Sequence, residues 1–345
     1  MAGFLESFAG GKADSPRMAA WILCGAAAGS GALFEETAEG RQLICRDDGF
    51  SPETAERIRG LAPGMSGIHE NGEEKIFLEW IPGRKKLVIC GGGHVAQSVI
   101  RLCVGLGFEI TAIEDREEYA GKAGKAGAHR VLCQPFGAAL DGIAGDLSTA
   151  FVIMTREHAH DMECLRRILA KPFAYVGMMG SRSRTEQVRR QILAEGFDPG
   201  RADRLHMPIG LPISARTPEE IAVSVAAELI REMNAAAPGE GFPAGMAEAL
   251  AAKPRGVLAM IVEKHGEAPR KPGTKMLVKD DGSLLGTIGG GSAEAEILQA
   301  AGEMIREDCR ESRLIRVSMK KGTMYCGGEI TVFLMPTGEK GDDGE

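Results

Sequence analysis

The eight cysteines of this 345-residue chain include no CxxC pair and no ladder of short spacings. A structural zinc site therefore has no ligand pattern to build on. Several of the thiols fall in apolar or helical stretches, where a reduced cysteine packs as a small hydrophobe. That sets a disulfide framework aside and makes a reducing, cytoplasmic setting the expectation. Positive charge is not in excess either: 41 Lys and Arg stand against 48 Asp and Glu, a net charge of −7. This balance excludes a dominant nucleic-acid surface, which needs concentrated cations to displace counterions from phosphate. Any phosphate site must be local. The apolar stretch Met18–Ala28 falls far short of the ~20 residues of a membrane span, and residues 1–18 carry no basic segment followed by a long apolar run. Neither a membrane segment nor a targeting leader is expected.

Apolar residues make up 44% and charged residues 26%, close to an average soluble globular chain, and the length suits two cores with a small third module. From Lys85 onward, apolar strand runs alternate with helical stretches, the signature of βαβ units and a parallel sheet. The strand Lys85–Cys90 leads into a glycine loop, a helical pattern over Val95–Leu106 and a second strand, Phe108–Ile113. Further strands are expected at His129–Leu132, Phe151–Met154 and Phe173–Val176. Ser183 with Glu186, and Thr217 with Glu220, have the spacing of capping boxes, and Pro218 fits the first helical position, where its missing N–H costs nothing. The segment Ala235–Gly245, rich in Ala, Pro and Gly, reads as a linker. Beyond it come a strand at Gly256–Glu263, a loop at Gly266–Gly273, a hairpin about Asp280–Gly282, a strand–glycine-loop–helix string at Gly286–Ile297 and a closing strand pair.

The expected organisation is thus an α+β segment over 1–83, a Rossmann-like parallel-sheet domain over 84–234, a linker over 235–245, a smaller α+β domain over 246–336 and a disordered tail over 337–345. Near the end of the first segment, GEEKIFLEWIP (Gly72–Pro82) echoes GEITVFLMP (Gly328–Pro336), so the first 83 residues are read either as a degenerate copy of the smaller domain or as unrelated to it.

Gly91, Gly93 and Ala96 supply G-x-G-x-x-A between a strand and a helix. Glycines there, Gly92 included, permit a tight turn and let backbone N–H groups approach a diphosphate at the positive end of the helix. Glu114 or Asp115, ending the next strand, then stands where ribose hydroxyls are bound. The other reading is a turn needed only for strand–helix packing. Arg116 either meets an extra phosphate or is solvated, and His94 either faces the ligand or caps the helix. A second candidate cradle is GMMGSRSR (Gly177–Arg184), where Gly180, the Ser181 hydroxyl and the Arg182 guanidinium can meet phosphate oxygens, against a plain basic helix start. In TREHAHD (Thr155–Asp161), the i, i+2 spacing of His158 and His160 does not place both imidazoles on one helical face. A metal site is set aside, and His158 or Asp161 is expected to line the crevice.

In the smaller domain, Arg270 in GEAPRKPG, and Gly289, Gly290, Gly291 and Ser292 at a helix start, can hold an anion such as a pterin phosphate, with a structural turn as the alternative. Cys326 in YCGGE is the least core-like thiol and a candidate for sulfur handling; no other catalytic residue suggests itself.

LVICGGGHVAQ, TREHAHD, AYVGMMGSRSR and MPIGLPISARTPEEIAVSVAAEL, in this order over Lys85 to about Met233, resemble the Rossmann domain of XdhC-type proteins, and GEAPRKPG, GTIGGGSAEAE and YCGGE resemble the companion XdhC/CoxI domain. The resemblance implies a protein that binds molybdenum cofactor (molybdopterin), assists its sulfuration and insertion, and docks with an apo-enzyme of the molybdenum hydroxylase class, such as a xanthine or carbon monoxide dehydrogenase. A cysteine desulfurase is a second implied partner. Three departures accompany it. The companion domain follows the Rossmann domain instead of preceding it, Ser292 stands where many members carry Cys, and the first 83 residues lack an APR loop. The rival readings are an NAD(P)-dependent oxidoreductase and a nucleotide-sensing regulator without chemistry. A homodimer is the oligomer expected on general grounds.

Overall fold

The structure, a computed structural model, describes residues 4, 15–37, 40–62, 65–71, 74–236, 242–243, 245–266, 268, 270–318 and 328–338. It forms two compact units, one from Gly83–Ala236 and the other from Arg17–Pro82 together with Ala237–Glu345.

The second of these units begins with β1 (Arg17–Ile22), β2 (Gly31–Thr37), β3 (Gly40–Arg46), α1 (Pro52–Arg59), β4 (Gly67–Asn71) and β5 (Glu74–Ile81). The strands make an antiparallel sheet in the order β3-β2-β1-β5-β4. β1 reads RMAAWI and from Met18 onward is buried on both faces, which is why it occupies the centre. α1 starts where Ser51 accepts from the Thr54 N–H with Pro52 in its first turn, and it buries Thr54, Ala55 and Ile58.

The unit Gly83–Ala236 carries β6 (Lys86–Cys90), α2 (His94–Gly105), β7 (Glu109–Glu114), α3 (Glu117–Lys125), β8 (Arg130–Cys133), α4 (Phe136–Asp141), β9 (Thr149–Ile153), α5 (His158–Leu169), β10 (Tyr175–Met178), α6 (Arg182–Ala194), α7 (Pro199–Asp203), β11 (Leu205–His206) and α8 (Pro218–Ala236). All its strands are parallel, in the order β11-β10-β9-β6-β7-β8, so this is a mixed α/β protein with a Rossmann-like sheet. Two cores flank the sheet, one against α4, α5 and α6 and one against α2 and α8. The chain order reverses between β6 and β9, where ligands of such sheets bind beyond the carboxyl ends of the strands.

The capping box at Thr217 forms as expected: the Glu220 N–H donates to Thr217 Oγ1 at 3.2 Å and the Thr217 N–H to Glu220 Oε2 at 3.1 Å. The box expected at Ser183 does not. Ser181 is the cap, accepting from the Arg184 N–H at 3.3 Å, because a helix starting at Arg182 turns Thr185, Val188 and Ile192 into the core.

The remaining elements are α9 (Met246–Ala251), β12 (Gly256–His265), β13 (Lys275–Lys279), β14 (Leu284–Gly286), α10 (Gly291–Arg306), β15 (Arg313–Ser318) and β16 (Glu329–Thr337). They build a second five-stranded antiparallel sheet, ordered β14-β13-β12-β16-β15, with α10 on one face. Thr337, expected in the tail, is the last residue of β16: it pairs with Gly256 and its hydroxyl donates to Pro254 O at 2.8 Å. Residues 339–345, most of the expected linker 235–245 and residues 319–327, Cys326 among them, lie outside the described residues, while Ala235 and Ala236 end α8. Among the described residues, no helix is long and apolar enough to cross a membrane.

Candidate functional site

In the parallel-sheet unit the sequence-derived loops come together at the carboxyl edge. Gly91 has φ +123°, and a Cβ there would lie 2.3 Å from Met154 O, so the turn runs against the end of β9. Gly92 is equally confined, since a Cβ there would lie 2.7 Å from Tyr119 O, whereas at Gly93 nothing lies within 4 Å. The mouth of α2 is therefore packed on one side and open on the other. His94 is exposed at that mouth, and it makes no capping bond, since the cap of α2 is Gly93.

Glu114 is 1% exposed, and its carboxylate is turned back onto the glycine loop. It accepts from the Gly92 N–H at 2.8 Å and from Arg116 Nε and Nη2 at 2.8 and 3.0 Å, a two-point pair. Burial works against its charge, but the bonds from Arg116 and Gly92 outweigh that and hold the carboxyl below its usual range. The acidic group expected to meet a ribose is thus engaged on both oxygens by its own loop. Arg116 also lies over the Tyr119 ring at 4.1 Å. Asp115 is exposed, 4.0 Å from His160 Nε2, and its carboxyl is raised by desolvation and by the neighbouring Glu114.

Asp161, expected at the crevice surface, is instead 1% exposed and ties two loops together. It accepts from the Thr155 hydroxyl and from Arg184 Nη2, joining TREHAHD to SRSR. Burial raises its carboxyl despite both partners. The clasp leaves His158, Ser181 and Arg182 exposed beside the half-buried Gly180. His160 packs on the Phe136 ring at 5.2 Å between Asp115, Glu157 and Glu163. Among the described residues, no three His, Cys, Asp or Glu side chains are grouped to hold a metal ion. Cys90 is fully buried, and its hydrogen bond with Cys164, together with burial, pushes the Cys164 thiol up. A cavity of about 200 Å³ lies at the opposite edge of the sheet, among Lys86, Glu109, Thr111, Arg130 and Thr149, and has no part in the glycine-loop cluster.

In the other unit, Arg270 is half-buried in its turn and Ser292 is exposed at the start of α10. Gly289, Gly290 and Gly291 all have positive φ, and nothing lies within 4 Å of a Cβ at Gly290 or Gly291. Several donors of this loop, from Thr287 to Gly290, are already committed. Glu294 accepts from the Thr287 hydroxyl, from the Ile288 N–H at 3.2 Å and from the Gly290 N–H at 3.1 Å, bonds that hold its carboxyl below the usual range, the Thr287 bond foremost. Both glycine loops therefore carry an internal carboxylate on their amides.

Sequence reasoning missed the Asp161–Arg184 clasp and a second buried network. Glu228, 5% exposed, accepts from the Tyr175 hydroxyl at 2.7 Å and the Gly210 N–H at 2.8 Å, with His206 Nδ1 at 3.4 Å and stacked on Tyr175. Its signal was the string HMPIGLPI followed by a buried Glu, which has no local periodicity to reveal it.

Residues 87–229 match the family of the XdhC Rossmann domain and residues 249–318 the XdhC and CoxI family. The uncharacterised protein YqeB of Escherichia coli K12 is 31% identical over 170 residues, 49% of this chain and 31% of YqeB. A Bacillus subtilis protein described as a probable xanthine dehydrogenase component is 26% identical over 163 residues, 47% of each chain. The chain thus spans a third to a half of these curated relatives. A solved structure from Bacillus halodurans, described as a xanthine dehydrogenase, superposes with a TM-score of 0.45 at 21% identity, covering 64% of this chain and 63% of that one.

Proposed function

The chain belongs to the XdhC and CoxI family, and on that premise we propose that it is an accessory protein for molybdenum hydroxylases of the xanthine dehydrogenase type, binding molybdenum cofactor and assisting its sulfuration and insertion. The observation that carries this reading is the asymmetric α2 mouth: Gly93 and His94 open, with Ser181, Arg182 and His158 on the neighbouring loops, and Glu114 held on Gly92. Open amides at a helix start, a hydroxyl and a guanidinium suit a phosphate. Because Glu114 is engaged by Arg116 and Gly92, it offers nothing to a ribose diol, which weighs against the nicotinamide dinucleotide reading.

The cofactor brings a phosphate-bearing pterin and a redox-active molybdenum centre for the client. This chain's part is to hold the phosphate at Gly93, Ser181 and Arg182, and Arg270 is a separate candidate anion contact within its own unit. Sulfur handling is assigned to Cys326, with a cysteine desulfurase as donor. The partner is the client apo-enzyme.

Anaerobic titration of the purified chain with molybdenum cofactor and, separately, with NAD(H) and NADP(H) tests the reading. Arg182→Ala should weaken cofactor binding about 10-fold, the loss of one charge-assisted contact. Tight nicotinamide binding without cofactor binding would replace this reading with the oxidoreductase.

A further inference from the structure

The two antiparallel sheets share one plan. Each has a central strand flanked by a hairpin partner and by the last strand of its segment, in the orders β3-β2-β1-β5-β4 and β14-β13-β12-β16-β15, with a helix between the third and fourth strands. The pairing registers coincide about the two central strands, β1 and β12. Trp21 pairs with Gly31 and Phe77 as Met260 pairs with Lys275 and Phe333, and Ala19 pairs with Leu33 and Glu79 as Leu258 pairs with Leu277 and Met335. These matched positions meet in one core: Ala19, Trp21, Leu33 and Phe77 pack with Leu258, Met260, Leu277, Phe333 and Met335.

The match breaks at one pair of positions. Lys275 and Glu79, 1% exposed each, form an ion pair at 2.5 Å across the core. The positions that correspond to them in the other copy are Gly31 and Met335. There the Phe4 ring fills the place of a side chain at Gly31, and Met335 Cγ lies 3.4 Å from a Cβ position at Gly29. The charged pair thus exists in one of two equivalent places, and it stands under the turn that carries Arg270. Lys275 Nζ also donates to Gly273 O at 2.8 Å, while Lys264 Nζ donates to Ala268 O at 2.7 Å, so an ammonium holds a carbonyl on each side of Arg270. In the first copy the same connection, residues 23–30, is one residue shorter and has no Arg or Lys.

We propose that residues 17–82 are a second copy of the module 256–337 that has no ligand turn of its own, and that its Glu79 is a positioning residue, acting through Lys275 to fix the 270–274 turn. A buried ammonium without its carboxylate would be uncompensated, and it would swing out of the core or lose its proton, releasing Gly273 O. The link to ligand binding rests on the reading of Arg270 given above; the link to turn order does not.

The test uses the full chain with Glu79→Met, the residue of the matched position, alone and combined with Lys275→Met. Replacing both charges by apolar side chains of similar length keeps the core filled, so the double variant should melt at or above the parent temperature. Its amides at Arg270, Lys271, Gly273 and Thr274 should nevertheless exchange about 10-fold faster, with the β1 and β16 amides unchanged. Parent-like exchange at 270–274 in the double variant overturns the proposal, whether or not Glu79→Met alone folds. Molybdenum cofactor titrated into parent and double variant separates the two ideas: no binding to the parent removes the ligand reading alone, and binding that weakens several-fold in the double variant extends the positioning role to the ligand.

Discussion

Gly91 and Gly93 sit two residues apart in one loop, yet alanine should act on them in opposite ways. At Gly91 the new Cβ would lie 2.3 Å from Met154 O and 2.8 Å from Met154 C, and the backbone is held at φ +123°. The obstructing atoms are backbone, tied to β6 by the Met154 N–H donating to Cys90 O at 2.8 Å, so relief requires opening the central strand pair. The unfavourable φ costs about 1–3 kcal/mol and the forced overpacking about 1–3 kcal/mol more. At about 2–4 °C per kcal/mol for a unit of this size, the melting temperature should fall by roughly 5–20 °C. Gly93 has φ −66° and open space around its Cβ position. Ala there loses about 0.5–1 kcal/mol of capping preference and regains about 0.4–1 kcal/mol from a less flexible unfolded chain, so the melt should move by no more than about 2 °C. Its methyl group would occupy the open side of the α2 mouth, and cofactor affinity should fall without loss of stability. Circular dichroism melts of both variants, followed by cofactor titration of Gly93→Ala, make the comparison. A Gly91→Ala protein melting within about 2 °C of the parent, or Gly93→Ala as damaging as Gly91→Ala, would refute the account of the loop.

Asp161→Ala should destabilise the parallel-sheet unit by about 2–4 kcal/mol in urea titration, because Arg184 and Thr155 lose a buried acceptor; an unchanged midpoint would show that the clasp is inert. Glu228 is disfavoured as an ion by burial, but the bonds from His206, Tyr175 and Gly210 more than offset this and hold its carboxyl below the usual range. Its stabilisation is therefore complete above the unfolded-state carboxylate pKa and disappears as pH falls through the folded value, so the parent should lose stability below about pH 4.5. Glu228→Gln should be about 1–3 kcal/mol less stable at pH 7 and show a shallower acid limb, and a parallel limb in pH-dependent melts would exclude the network as the cause. Glu294→Ala should cost about 0.5–2 kcal/mol, the scale of a lost cap, measured as a lower melting temperature of the antiparallel unit.

The βαβ unit was legible because its signals are local: an apolar strand, a glycine loop and a helix in succession, with Thr217 and Glu220 at capping distance along one turn. Ser183 misled for the same reason. SRSR offers two hydroxyls, and the choice between them is made by which phase buries Thr185 and Val188, a property of the sheet beneath. The matched sheets left one trace, the echo between Gly72–Pro82 and Gly328–Pro336, since strands so distant in sequence announce no pairing partner. Glu114 and Glu294 were invisible as loop-fillers, because their position along the chain says nothing about which way a carboxylate turns.

That turning decides where an anionic guest can sit. An amide already donating to a carboxylate binds phosphate only if the carboxylate leaves, and a carboxyl held below its usual range is ionised and in place at neutral pH. At Gly290 the displaced ion would be Glu294, whose bonds also hold the Thr287–Gly290 turn, so the loop would lose its own shape in admitting the guest. At Gly92 the displaced ion would be Glu114, together with its two-point pair to Arg116. Gly93 is different. Its Cβ side is open, and the N–H groups that begin α2 lie beyond the reach of the intrahelical ladder. Among Gly92, Gly93 and Gly290, Gly93 is therefore the one at which a phosphate can be received without dismantling the turn that presents it.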